Sequence, residues 1–218
     1  MNVGESSNGS SELNREIDRH TQEIEGAVAG AKSLAHAYYN RGVRYGERGA
    51  VGDTDREIDD YARVVELPDA PADIRAFAVL NRGITRLSRF LSHGNGSDLD
   101  GAIADLTQAI GSSHVEGERP GMPQYQRGVC HSLREDSAGL GLAIADFSDV
   151  IALKGAPSDL VARALYRRAV AYVDRDRPGD LSLAREDFNR VIAMAEASGE
   201  IHGWAMAGLV ELCDGESP

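Results

Sequence analysis

Apolar residues along this chain recur at intervals of three and four, as in Ile144, Phe147, Val150 and Ile151, the spacing that lines one face of a helix. No alternating run long enough for a strand interrupts them, so the pattern predicts an all-α fold. Punctuation marks where elements begin. Thr54-Asp55-Arg56-Glu57 has the form of a capping box before Ile58, Pro71 and Pro157 stand at helix starts, and Asp180 follows Pro178-Gly179 as an N-cap. First helices are predicted near 33–48, 72–91, 121–134 and 158–174, with antiparallel partners near 54–67, 98–111, 139–153 and 180–196.

One phrase recurs at the same place in each pair: Tyr39-Asn40-Arg41-Gly42, Leu80-Asn81-Arg82-Gly83, Tyr125-Gln126-Arg127-Gly128 and Tyr166-Arg167-Arg168-Ala169. Its last members are 41 (42 to 83), 45 (83 to 128) and 41 (128 to 169) residues apart. A second phrase keeps step: Ile58-Asp59-Asp60-Tyr61, Ile103-Ala104-Asp105-Leu106, Ile144-Ala145-Asp146-Phe147 and Arg185-Glu186-Asp187-Phe188. Two signals on one period mean a tandem repeat, whose stacked copies share a continuous core and expose a long concave surface. The four extra residues of the second copy are assigned to a flexible turn over 92–97. The layout is a disordered tail over 1–11 and a single helical-repeat domain over 12–212. That domain holds a half-repeat (12–32, its helix near 12–26), repeats 33–70, 71–119, 120–156 and 157–198, and a capping helix over 199–212. A short tail, 213–218, ends it, for about ten helices in all.

Composition narrows the partners. Net charge is −12, which repels phosphate backbones, so nucleic acid is not expected. No apolar stretch reaches membrane-spanning length and the first residues carry no export signal, so the reading is a cytoplasmic protein. Cys130 and Cys213 are read as buried, reduced thiols. Arg82, Arg86 and Arg89 share a helix face, and Arg163, Arg167 and Arg168 cluster later; both groups are read as solvated or internally paired.

Small and aromatic positions carry a resemblance. Tyr38, Gly42, Tyr45, Tyr61 and Val64 in the first repeat, Gly128, Ala143, Phe147 and Val150 in the third, and Ala169, Tyr172, Ala184, Phe188 and Val191 in the fourth resemble the tetratricopeptide repeat family over roughly residues 33–196. The unit is about seven residues longer than that family's usual 34, and Sel1-like repeats are a close competitor. The resemblance implies a right-handed αα-superhelix. A further regularity is polar: Arg41 with Asp60, Arg82 with Asp105, Arg127 with Asp146 and Arg168 with Asp187 are expected to pair within each repeat, because a half-buried guanidinium needs a carboxylate.

In the resembled family the first helices line the concave groove. That implies a binding stripe of Tyr39 and Val43, Leu80 and Ile84, Tyr125 and Val129, and Tyr166 and Val170, flanked by Asn40, Asn81, Gln126 and Arg167. Such a stripe suits a peptide or helix of a partner protein. The expected function is a non-catalytic scaffold or regulatory subunit; the alternative is a small-molecule or nucleotide-sensing domain, and self-association stays open. No phosphate loop, nucleophile elbow or zinc-protease pattern occurs, so neither an enzyme nor a cofactor or metal is expected.

Overall fold

A computed structural model describes residues 4–26, 30–134 and 136–214. The described residues form eleven α-helices and no strand. They are α1 (Gly4–Glu25), α2 (Ala31–Arg48), α3 (Asp53–Glu66), α4 (Ala72–His93), α5 (Gly96–Ala109), α6 (Ser113–Glu118), α7 (Met122–Ser132), α8 (Ser137–Ala152), α9 (Ser158–Arg175), α10 (Asp180–Ala193) and α11 (Gly199–Asp214). Ten of these fall at the positions the periodicity predicts. The eleventh, α6, buries Val115 alone, and one apolar residue creates no period to read.

The chain divides into two compact units, Met1–Val115 and Glu116–Pro218, where the sequence reading has one domain. In the first, α1 packs on α2, α2 on α3, α3 on α4 and α4 on α5, and Ala35, Tyr61, Val64 and Ala78 share a core. In the second, α7 pairs with α8, α8 with α9, α9 with α10 and α10 with α11. One core there gathers Ala143, Phe147, Val150, Leu160 and Ala164, and another joins Leu165, Ala169, Phe188 and Val191 to Ile201, Ala205 and Leu212 of α11. Neighbouring helices thus supply each other's apolar contacts in chain order, the way repeat arrays are stabilised.

Several sequence expectations change. Residues 4–11, read as part of a disordered tail, belong to α1; once the amphipathic turns around Leu13 and Ile17 form, each added residue gains one backbone bond at little further cost. Residues 1–3 and 215–218 lie outside the described residues. The predicted turn over 92–97 is mostly helix. Instead α4 gains a turn and ends at His93, Gly94 closes it at φ 70°, and the side chain of Asn95 caps α5 by accepting from the Ser97 amide. The capping box at Thr54 is not made, since α3 begins one residue earlier at Asp53, after Gly52 at φ 80°. Glu57 turns inward to accept from the Thr85 hydroxyl at 2.9 Å, and burial pushes its carboxyl above the ordinary range. Cys130 is buried as expected, but Cys213 is exposed on α11.

Candidate functional site

The helix pairs are held by charge as well as by apolar packing. Each first helix sends an arginine fork onto an aspartate of its partner: Arg41 to Asp60 at 2.8 and 2.7 Å, Arg82 to Asp105 at 2.9 and 2.6 Å, Arg127 to Asp146 at 3.0 and 2.6 Å, and Arg168 to Asp187 at 2.7 and 2.8 Å. Nε and Nη2 each reach one carboxylate oxygen, the bidentate geometry a planar guanidinium favours. The remaining Nη1 of Arg41 donates to Thr21 Oγ1 at 3.1 Å, and that of Arg168 to Ser148 Oγ at 2.8 Å, so a fork also ties its repeat to the helix before it. Beside each arginine the small residue meets the partner helix. A Cβ placed on Gly42 would lie 2.9 Å from the Tyr61 ring, and one on Gly128 2.7 Å from Phe147.

A second fork stands seven residues, two turns, further along the same faces. Arg48 holds Asp53 at 2.8 and 2.6 Å, Arg175 holds Asp180 at 2.8 and 2.6 Å, and Arg89 holds Asp98 at 2.9 Å through Nε. Asp53 and Asp180 also accept from the amides of Ala50 and Arg177 at 3.0 Å. These bonds hold both carboxyls below the usual range, the arginine being the main cause. In the third repeat Gly139 stands where that aspartate would be, and Asp136 caps α8 through the Gly139 amide at 2.6 Å. Sequence reasoning missed this set, although Arg recurs at plus seven in every repeat and Asp at minus seven in three. The arginines of the face Arg82, Arg86 and Arg89 are paired internally, with Asp105 and Asp98.

The predicted stripe is rooted in this frame. In the first unit Tyr39 tilts against Tyr61 with ring centroids 5.8 Å apart, and Asn81 donates to the Tyr39 hydroxyl at 3.2 Å. Asn40, Val43 and Ile84 are half-buried. Leu80 is 0% exposed and leaves the stripe: where the other repeats carry a tyrosine with a polar tip to keep wet, an aliphatic side chain sinks entirely into the core.

The second unit keeps its stripe accessible. Tyr125 leans on Phe147 at 5.8 Å and Tyr166 on Phe188 at 5.9 Å. Gln126, Val129 and Val170 are half-buried, and Arg167 is exposed. Two clefts open beside them. One, of about 410 Å³, lies where α7 and α9 begin, lined by Met122, Tyr125, Gln126 and Leu160 with Glu118, Arg119, Asp159 and Arg163 around them. The other, of about 300 Å³, lies between α9 and α11, against Tyr166, Val170, Phe188, Trp204 and Gly208. Trp204 is 44% exposed, with its ring 5.6 Å from that of Tyr166. As the chain's single tryptophan, on a helix assigned only a capping role, it is the site residue the stripe did not include.

Cys130 and His131 do not line either cleft. Burial pushes the Cys130 thiol up to about 12, which keeps it protonated at neutral pH, and lowers the affinity of the neighbouring His131 for a proton. Among the described residues no group of three or more His, Cys, Asp or Glu could hold a metal, and no helix is long and apolar enough to cross a membrane. No protein-family model matches the chain, and none of the curated proteins matches its sequence.

Proposed function

We propose that this chain is a tetratricopeptide-like repeat protein, its helix pairs stacked as a right-handed superhelix, that acts as a non-catalytic scaffold or regulatory subunit. It binds a segment of a partner protein on the face of its first helices. The observation that carries the reading is the pair of clefts on α7, α9 and α11, where Tyr125, Tyr166 and Trp204 are anchored by the core yet keep surface in the open. Rigid aromatic anchors beside a concave surface are the usual centres of binding energy at protein interfaces. The cleft at α7 is large enough for a small molecule, but Glu118 and Asp159 balance Arg119 and Arg163 around it, so it offers a nucleotide's phosphates no net positive charge.

The test is affinity capture from the native cell with quantitative mass spectrometry, comparing wild type with Tyr125→Ala/Tyr166→Ala. Loss of two anchors should weaken the specific partner about thirtyfold, roughly 2 kcal/mol. Circular dichroism checks that the variant is folded. Undiminished capture by a folded variant removes this face from the function.

A further inference from the structure

The two clefts of the second unit differ in charge. That at α7 is balanced, whereas the lining of the α9/α11 cleft carries two carboxylates, Asp174 and Glu211, and no basic side chain. The whole of α11 continues this bias, with Glu200, Glu211 and Asp214 and neither Lys nor Arg. Its outward positions are otherwise apolar: Met206 is 59% and Val210 60% exposed beside Trp204. An aromatic slot with an acidic rim therefore runs on into an uncovered apolar helix face.

We propose that this cleft docks a cationic amphipathic segment of a partner protein, with one apolar anchor side chain seated against Trp204 and Tyr166 and a flanking Lys or Arg against the carboxylate rim. The assignment rests on the binding-face reading above and adds the partner's chemistry to it. Charge selects this occupant. An acidic segment would meet Glu211 and a chain of net charge −12, whereas a base beside the anchor gains both the carboxylate and the face of an indole. A second copy of this chain is a poor occupant, because α11 laid against α11 sets acid against acid with neither Lys nor Arg to answer it.

Trp204, the only tryptophan, reports on the cleft directly. The experiment titrates the full chain with two tryptophan-free peptides that share leucines on one helical face and carry lysine or glutamate on the other, following Trp204 emission and its access to a neutral quencher. The lysine peptide should shift the emission to the blue and shield it, increasingly so at low salt, and the glutamate peptide should do neither. Asp174 already engages another group of the protein, so the informative variant is at the exposed Glu211. Glu211→Lys should weaken the lysine peptide about tenfold and Glu211→Gln about threefold. Equal response to both peptides, no response to either, or an unchanged affinity in Glu211→Lys overturns the proposal. If the lysine peptide binds while Trp204 stays unmoved, this cleft is wrong, and the wider reading is then decided by the Tyr125 and Tyr166 capture alone.

Discussion

Removing one member of an Arg–Asp fork takes from the other its bidentate partner in a place already withdrawn from water. In the third repeat the Asp146 side chain is 5% exposed and that of Arg127 23%. Asp146→Leu alone should cost about 3 kcal/mol, the low end for a broken buried pair because the guanidinium keeps some water, while Arg127→Met/Asp146→Leu should cost clearly less. Urea denaturation of the two singles and the double closes this cycle; a double variant as unstable as the singles' sum would show no coupling. The small residues give a second prediction. Gly128→Ala sets a methyl 2.7 Å from Phe147 and should destabilise by about 1–3 kcal/mol through overpacking, which the same measurement reads. The sequence carried both features because each repeats: one Arg beside one Gly means little, but a register kept through four copies points to a contact. Leu80 departs from the stripe for the complementary reason, since a repeat register marks a position, whereas whether that position is wet depends on the polar tip of the residue filling it.

Helix boundaries follow the periodicity except at the start of α1, around 92–97 and at α6, and the helix-start signals mislead where a carboxylate does something other than cap. Asp53 and Asp180 open α3 and α10 by gripping an arginine at the end of the preceding helix and one amide of the turn. Capping rules alone read them as dipole partners or N-caps, because their arginines sit across a turn. With both carboxyls held below their ordinary value, the stability they lend is present above the unfolded carboxylate's pKa, near about 4, and is lost as pH falls through the lower folded values. Acid unfolding followed by circular dichroism should therefore show wild type losing stability below about pH 4, and Asp53→Asn/Asp180→Asn starting lower at neutral pH with a flatter acid limb. Parallel limbs would mean that these pairs do not set the acid response.

Periodicity extends across every repeat, but the two compact units cannot be read from it, because it repeats alike on both sides of the break. The break falls inside α6, in a linker that lacks the repeated phrases. The second unit contains its own apolar clusters around Phe147 and Phe188, so residues 116–218 expressed alone should give a helical spectrum and a cooperative thermal transition. A fragment that is unfolded in isolation would count against its self-sufficiency. The candidate site is only partly legible in the sequence: the repeat register marks Tyr125 and Tyr166, Trp204 stands outside it, and which ring stays exposed depends on which neighbour covers it.

The primary Arg–Asp fork is the same in the first, third and fourth repeats, each joining residues nineteen apart. Such joints are interchangeable parts. An in-frame excision of residues 128–168 would bring Arg127 directly before Ala169, nineteen positions ahead of Asp187, and so regenerate a complete fork across the scar. Genetic loss or duplication of whole copies can then change the length of the array without asking selection to rebuild any joint.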